Sequence, residues 1–475
     1  MTLLVLGYVL VGTGACMIVL KRWRPVGWPI LGELVVFAGF LSVLWRRSAI
    51  VPIHELGIVY GFMVLVYSIM PLIEYLQIGQ EYSPWHDIRL YALQPTPEEV
   101  ASIGWRNVFY LLSFAVGYTL VRGNVELAAV KGQLRGSPRL YAILTVMVIV
   151  LSWWLISAAF GYPRTASEYV EGYVTDLRIP LLWRQLASKI HYIGNMLNVC
   201  LLIVLFSRYN RYRLWIAVFL GYNACITLSK MWSLTGLALQ VLASVLLYHR
   251  FVRPLRLPIL VLIAVLGIYG CLAYGIARAQ RYSENVDIRV DTVLSSSSEF
   301  DAMFGTALHL LKYKEAGALP PVPWQAHFND ILALVPQQLL PVEKVSFQDW
   351  YMVTFYFSLH EAGRGLNFGV LPETILGLGN VQLIIYGLAL GVVFAWLHRM
   401  VSRRCNSFWS TAFYLWLCVQ SYSCYRNTQF VLLPNFVYHF APLFLMLQLF
   451  PSGKLRLRKS ANWGRRTNAP VLLHS

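Results

Sequence analysis

Residues 257 to 276 read LPILVLIAVLGIYGCLAYGI and contain no acidic side chain and no basic one. A helix needs about 20 consecutive apolar residues to cross the hydrocarbon core of a bilayer, and this run has that length. A second run, LYAILTVMVIVLSWWLISAAFGY at 140 to 162, is also uncharged. The chain of 475 residues is 57% hydrophobic and only 13% charged, which is more apolar surface than a soluble domain can bury. The sequence therefore predicts an all-α polytopic membrane protein.

Apolar runs along the chain predict about twelve transmembrane helices. The N-terminal run lacks the basic segment of a cleavable signal peptide and is taken as the first span. The spans are expected near 2–20, 27–45, 57–77, 104–121, 140–161, 190–207, 214–230, 233–249, 257–277, 381–398, 408–425 and 429–450. The predicted organisation is 1–277 with spans 1 to 9, one long outer (periplasmic) loop at 278–368, 369–450 with spans 10 to 12, and a tail at 451–475.

The distribution of charge predicts the orientation of these spans. Lys and Arg outnumber Asp and Glu by 39 to 22, a net charge of +17, and they concentrate in short connections. Such connections mark the cytoplasmic side of a membrane protein. They are 122–139, 208–213, 250–256, 398–404 and the tail segment 453–466; only KRWR at 21–24 falls on the opposite side. We therefore expect a cytoplasmic C-terminus, and the net charge requires no nucleic-acid partner.

The segment 357–380, FSLHEAGRGLNFGVLPETILGLGN, interrupts the apolar pattern with charged residues and five glycines. Its first glycines and Pro372 permit a tight return into the membrane edge, where irregular backbone must line a polar cavity. Glu373 stands in an apolar run, where an unpaired carboxylate is costly. We expect Arg364 and Glu373 to face a cavity open to the outside, and Gly377 and Gly379 to let a helix or a substrate chain approach closely.

Cations from distant segments meet the same outer interface in this topology, where Lys230, Arg278, Arg281 and Arg426 join Arg364. An Arg at the centre of a membrane helix costs about 2.5 to 3.5 kcal/mol, and such groups are usually paired or functional. A cluster of cations predicts an anionic ligand. Simpler roles remain open, since Lys230 and Arg426 can extend to the lipid headgroups, and Arg278 and Arg281 can end a helix and pair with acidic neighbours.

Several reaction classes lack their motifs. The chain has no GxxxxGK[ST], HExxH or DxD sequence, and its seven cysteines form no CxxC pair. We therefore expect no metal, no cofactor and no disulfide framework. On an outer face without nucleotides, the expected anionic substrate is lipid-linked, such as a polyprenyl diphosphate that carries sugars.

The order of these features resembles that of the Wzy-type O-antigen and oligosaccharide repeat-unit polymerases. The stretches that resemble the family are RRSAIVPIHELGIVYGFMVLVYSIMPL (46–72), TLSKMW (227–232), LVPQQLLPVEK (334–344), GRGLNFGVLPETILGLG (363–379) and YRNTQF (425–430). Lys230 departs from the family pattern, in which many members have Arg, and Lys lacks the bidentate fork of a guanidinium.

The resemblance implies a metal-independent glycosyltransferase of the bacterial cytoplasmic (inner) membrane. It would polymerise undecaprenyl-diphosphate-linked repeat units into O-antigen or exopolysaccharide, with a chain-length regulator as a potential partner. A hydroxyl of one lipid-linked glycan attacks the anomeric carbon of another, whose lipid diphosphate leaves. The resemblance assigns the diphosphate to Arg364 and Arg426 first, then to Arg278, Arg281 and Lys230.

The base in this scheme is expected to be Glu373, with His360 as the alternative, although His360 also fits an interfacial hydrogen-bonding role. Aromatic residues of the outer loop, Trp324, Trp350 and Tyr351, are expected either to stack on sugars or to anchor the loop at the membrane interface.

Three other functions stay open at this point, and one of them is a non-catalytic partner in polysaccharide assembly. A ligase that moves finished O-antigen onto lipid A core shares the layout and the chemistry and differs in its acceptor. A flippase or exporter of lipid-linked sugars also has about a dozen spans, but it is expected to show two related halves and charges near the midplane. The sequence shows neither feature, which favours the polymerase.

Overall fold

The computed structural model describes residues 24–46, 52–78, 95–123, 147, 196–230, 235–280, 300–335, 339–357, 360, 368–403, 408–441 and 444. Helices joined by turns make up these ranges, and no strand occurs within them. The helices are α1 (Arg24–Arg46), α2 (Leu56–Ile78), α3 (Pro97–Arg122), α4 (Met196–Phe206), α5 (Tyr209–Lys230), α6 (Thr235–Phe251), α7 (Leu257–Gln280), α8 (Asp301–Glu315), α9 (Trp324–Leu332), α10 (Phe347–Phe355), α11 (Val370–Leu376), α12 (Asn380–Arg403), α13 (Phe408–Gln420), α14 (Ser423–Arg426) and α15 (Leu432–Asn435).

Four of the described helices are long and apolar enough to cross a membrane. These segments are Pro25–Arg46 in α1, Leu56–Gln77 in α2, Leu257–Tyr274 in α7 and Asn380–Ser402 in α12. They coincide with four of the predicted spans, whereas the spans predicted at 2–20 and 140–161 lie outside the described residues. The prediction of an all-helical protein with membrane-length apolar helices is confirmed for the described part of the chain.

The last two predicted spans, 408–425 and 429–450, are wound irregularly where the structure describes them, although residues 429–441 stay helical throughout. α13 ends at Gln420, and a four-residue helix, a 3-10 turn and a π-helical turn at Phe436–Phe440 follow it. Pro434 contributes to this irregularity, because proline has no N–H to donate to the carbonyl four residues earlier. The segment between Gln420 and Leu432, named here the C-terminal hairpin, is therefore a compact turn of short helical pieces.

α3 lies at the centre of the bundle and packs against α1 and α12. A Cβ atom at Gly387 or Gly391 of α12 would overlap backbone atoms of Tyr110 and Phe114. Gly117 of α3 likewise faces the backbone of α12. Small residues four positions apart allow helices in membranes to approach closely, and this pair of helices uses that arrangement.

The helix directions give the bundle two distinct ends. Gly104, near the start of α3, packs against Pro29 near the start of α1 and Leu72 near the end of α2. Tyr118, near the end of α3, packs against Gly57 at the start of α2. α1 and α3 are therefore parallel, and α2 is antiparallel to both. The end where α3 begins is called the loop end here, and the end where it finishes is called the basic end.

The basic end is held by a buried polar network around Glu55. Arg122, the last residue of α3, donates from Nε to Glu55 Oε2 at 2.8 Å and from Nη2 to Oε1. Nε2 of His398 on α12 lies 4.0 Å from the same carboxylate, and its Nδ1 is 2.7 Å from the Tyr414 hydroxyl. That hydroxyl donates to the carbonyl of His54 at 2.7 Å. The network ties the start of α2 to α3, α12 and α13.

Arginine-rich connections gather at this end. The rings of His54 and His249 stack at 5.7 Å, which places the end of α6 there. The rings of Tyr209 and Tyr248 lie 5.6 Å apart, which places the start of α5 beside it. The basic segments brought together in this way are 208–213, 250–256 and 398–403.

The described part of the predicted long loop is helical and packed at the loop end. Residues 303 to 311 of α8 are buried without interruption. The following Lys312 pairs with Glu99 near the start of α3 at 3.2 Å, and α11 packs along α8. Residues 303 to 311 of the loop therefore lie within the protein, whereas residues 314–317 are exposed.

Two aromatic residues of this loop are buried as well. Trp350 is 7% exposed and donates from Nε1 to the carbonyl of Pro321 at 3.2 Å. Tyr351 is fully buried, with its hydroxyl 2.7 Å from Nδ1 of His309. The expectation that these two side chains contact sugars or lipid is therefore wrong, because both are buried against other protein residues. Trp324 is 55% exposed, and its role stays a prediction.

Candidate functional site

Glu373 lies on α11, a short helix whose start is closed in by two neighbouring elements. Gly369 precedes the helix, and a Cβ atom there would overlap the side chain of Met303 and lie 2.5 Å from the carbonyl of Tyr425. The glycine thus permits both α8 and the C-terminal hairpin to pack closely against the start of α11.

The other end of α11 is held by a cation and by the turn that follows. Lys314 of α8 donates from Nζ to the carbonyls of Ile375 and Gly377, where a positive charge suits the negative end of the helix dipole. Gly379 adopts a left-handed conformation with φ +67°, which glycine allows without strain. The group that approaches Gly377 is Gln382 of the next helix. These glycines therefore build the turn into α12, and the side chain of Gln382 occupies the space beside Gly377.

The Glu373 carboxyl is buried and only partly hydrogen-bonded. It is 5% exposed, and the hydroxyl of Tyr386 donates to its Oε1 at 3.2 Å. Oε2 has no hydrogen-bond partner among the described residues. Burial, opposed by the Tyr386 hydrogen bond and assisted by the nearby charge of Asp330, raises the pKa of Glu373 to about 7. Such a group can both accept and release a proton near neutral pH.

Asp330 on α9 is the second carboxyl of the site. It accepts hydrogen bonds from the hydroxyl of Thr428 and from the backbone N–H of Phe430 in the C-terminal hairpin. Burial raises the pKa of Asp330, and these two hydrogen bonds oppose that rise. Two carboxyls that repel each other favour a state in which one of them holds a proton.

Arg426 is the predicted cation that the structure places beside α11. It is the last residue of α14, it is half-buried, and α14 packs against α11. Glu373 and Arg426 thus lie on helices that contact each other at the loop end, and their shared role in one site stays a prediction. His360 follows α10, is half-buried and donates its backbone N–H to the carbonyl of Tyr356 at 3.0 Å. It stays a predicted alternative base.

The remaining predicted cations are described only in part. Lys230 and Arg278 lie in the last turns of α5 and α7, and their side chains lie outside the described part of the structure. Arg281 and Arg364 lie outside the described residues altogether. Their shared role in binding an anion stays a prediction.

Sequence reasoning missed four residues that the structure places at the loop end: Asp330, Tyr386, Lys314 and Arg106. Arg106 carried a usable signal, because it stands inside the predicted span 104–121, where a charge is costly. The other three had none, since their positions depend on contacts between distant segments.

Comparisons of the chain with known protein families, with curated proteins and with solved structures give no match. The described residues themselves define the class. It is an all-helical protein with membrane-length apolar helices and, at one end, a buried carboxyl whose pKa is raised to about 7.

Proposed function

We propose that this chain is a membrane glycosyltransferase that polymerises undecaprenyl-diphosphate-linked oligosaccharide repeat units at the outer face of the bacterial cytoplasmic membrane. The observation that carries the proposal is the buried Glu373 carboxyl, whose pKa is about 7. A general base works best when its pKa is near the working pH. The contact of α11 with the helix that carries Arg426 supports a single site for base and cation.

The proposal includes the membrane topology. About twelve spans place the loop end on the periplasmic side, and the basic end and C-terminal tail face the cytoplasm. The clustering of the basic segments at one end of the described bundle supports this orientation. In this arrangement the lipid diphosphate reaches the site from the outer leaflet.

In the proposed reaction, ionised Glu373 accepts the proton of a sugar hydroxyl on one lipid-linked glycan. The hydroxyl oxygen bonds to the anomeric carbon of a second glycan, and the bond from that carbon to the diphosphate oxygen breaks. The lipid diphosphate leaves with the electron pair, and Arg426 stabilises its charge. General-base assistance contributes about 100- to 10000-fold, and one well-placed electrostatic group about 100- to 1000-fold.

The test is the glycan profile of cells that lack the gene and receive one variant each at matched membrane levels. Wild type is expected to restore long chains, whereas Glu373→Gln and Arg426→Ala are expected to leave a single repeat unit on the final acceptor. Glu343→Gln and Arg399→Ala are the controls, because both side chains lie outside the proposed site, and both are expected to behave as wild type.

Other outcomes distinguish the alternative functions. Long chains that persist on the carrier lipid without reaching their acceptor would identify a ligase. Repeat units that accumulate on the cytoplasmic face would identify a transporter. Normal long chains in the strain that lacks the gene would exclude all three.

The pH dependence of transfer by isolated membranes checks the role of Glu373. Because the base must be ionised, the rate is expected to rise with pH through about 7 and then to level off. In Glu373→Gln the rate is expected to fall at least about 100-fold and no longer to rise with pH over this interval. A wild-type rate that falls over the same pH interval would contradict the assignment.

A further inference from the structure

Two cavities adjoin at the loop end, and neither is used by the proposed proton transfer. The larger has a volume of about 500 Å³ and the smaller about 240 Å³. The smaller is bounded by Ile375 of α11 and by Gly379 just after it, so it borders the helix that carries Glu373. Arg106 of α3 lines both cavities and joins them.

Arg106 has donor atoms available in this position. Its Nε and Nη1 are buried and have no hydrogen-bond partner among the described residues. Buried donors left without an acceptor are costly, and they are rare in folded proteins. These two donor atoms therefore lack an acceptor among the described residues, although the charge of Glu315 acts on the guanidinium.

The charges that surround Arg106 are balanced rather than positive. Lys314 and Glu315 line the smaller cavity with it, and Glu98 lines the larger. A phosphate in these cavities would meet two carboxylates, which makes them a poor anion site. A neutral ligand rich in hydroxyl groups suits the lining better, since a hydroxyl both donates to a carboxylate and accepts from a guanidinium.

The larger cavity also offers aromatic surfaces. Trp28 and Trp105 line it and are 50% and 39% exposed. Tryptophan at a membrane interface often anchors the protein in the headgroups. Anchoring requires no converging polar groups, however, and here Ser102 and Asn380 line the same space. A few placed polar groups among aromatic walls, in a cavity of about 300 to 1000 Å³, are typical of small-ligand sites.

We propose that the larger cavity is a saccharide subsite. Sugar rings pack their apolar faces on Trp28 and Trp105, and sugar hydroxyls bond to Arg106. The side chains of Glu98, Ser102 and Asn380 supply the remaining hydrogen bonds. This inference rests on the proposed function for its substrate, and it places a non-reacting part of the glycan between α1 and α3.

The test is saturation-transfer NMR with purified protein in lipid nanodiscs, because maltoside detergents themselves carry sugars. The probes are a panel of free hexoses, N-acetylhexosamines and uronic acids. We expect a signal from at least one sugar, weakened at least tenfold in affinity by Trp105→Ala and by Arg106→Gln. Ser102→Phe fills the cavity without removing an aromatic wall and is expected to have the same effect.

Trp396→Ala is the matched control, since Trp396 is 55% exposed on α12 and lines neither cavity. The subsite is refuted if no sugar gives a signal, or if Trp105→Ala and Ser102→Phe bind as wild type does. It is also refuted if a short-chain alkyl phosphate, but no sugar, shows the cavity-dependent binding, which would mark a lipid site.

The two proposals fail separately. If Glu373→Gln blocks polymer formation and no sugar binds at the cavity, only the subsite is refuted. If sugars bind at the cavity and deletion of the gene leaves the cell polysaccharide unchanged, the subsite stands and the polymerase proposal is refuted.

Discussion

At the residue scale, Glu373 shows how one carboxyl can be prepared for proton transfer by its surroundings. Burial and the charge of Asp330 oppose its ionisation, and one hydrogen bond from Tyr386 favours it. The folded protein therefore holds this proton more tightly than an exposed glutamic acid does. Stability and function are linked through the same group.

That linkage predicts how stability changes with pH. The pKa of Glu373 is about 7 in the folded state against 4.5 for an exposed side chain. The protonated side chain therefore contributes up to roughly 3 kcal/mol to the free energy of unfolding, at about 1.4 kcal/mol per pKa unit. This contribution is complete below about pH 4.5 and is lost as the pH rises through about 7. Glu373→Gln cannot ionise and is expected to match wild type at pH 5 and to unfold at a higher temperature at pH 8.

Thermal unfolding of the purified variants at both pH values measures this effect. Glu343→Gln is the control, because Glu343 is exposed and its removal is expected to change neither value. A Glu373→Gln protein no more stable than wild type at pH 8 would show that burial does not strain this carboxyl.

The ion pair between Glu55 and Arg122 gives a second prediction at this scale. Both side chains are 2% exposed or less, so Arg122→Ala leaves a buried carboxylate without its guanidinium. We expect a loss of about 3 to 5 kcal/mol of unfolding free energy, measured by denaturation in detergent. Lys312→Ala breaks the contact with Glu99, in which the side chains are 21% and 23% exposed, and is expected to cost about 1 kcal/mol or less. Equal losses for the two variants would contradict this account.

Single residues also show which parts of the candidate site can be predicted from the sequence. Glu373 and Arg426 were predicted because a charge in or beside an apolar run is costly wherever the chain folds. Asp330 stands in the short segment QAHFNDIL at 325–332, where a partly exposed acid carries no such signal. Its place beside the C-terminal hairpin depends on the contact with Thr428, 98 residues away in the sequence.

At the element scale, hydropathy predicted the four membrane-length helices, because length and apolar composition determine whether a helix can span a bilayer. It did not predict how they pair. The sequence GLALG at 387–391 has the spacing of a close-packing motif, but it does not indicate which helix packs against it. In the structure that helix is α3. The sequence likewise did not predict that α8 packs inside the protein, since an amphipathic helix suits a membrane surface and a protein surface equally.

The contact between α3 and α12 is open to a direct test. Gly387→Leu and Gly391→Leu are expected to force the helices apart, because a Cβ atom at either position overlaps the backbone of α3. Gly267→Leu and Gly270→Leu on α7 are matched controls, since a Cβ atom there meets nothing within 4 Å. We expect only the first pair to lower the unfolding temperature and the yield of monodisperse protein. Equal behaviour of both pairs would contradict the close packing.

At the scale of the whole molecule, the two ends of the bundle carry different chemistry. Arginine-rich connections and the Glu55 network occupy one end, and the carboxyls, the C-terminal hairpin and both cavities occupy the other. The separation follows from the 26 residues of α3, which extend roughly 39 Å at about 1.5 Å per residue.

This separation predicts opposite accessibility in cells. In a cysteine-free background, Ala316→Cys at the loop end is expected to react with a membrane-impermeant maleimide in cells with a permeable outer membrane. Arg253→Cys at the basic end is expected to react only after the cytoplasmic membrane is opened; both positions are exposed. Reaction of both from the same side would contradict the proposed arrangement, and the reverse pattern would invert the orientation.

The pairing of α3 with α12 also constrains how the protein is made. Arg122 ends α3 and Asn380 begins α12, and a ribosome that adds about 5 to 20 residues per second needs roughly ten seconds or more to reach from one to the other. Throughout that interval the face of α3 that packs against Gly387 and Gly391 of α12 has no partner. The nascent chain is therefore most open to insertion chaperones and membrane proteases before α12 emerges.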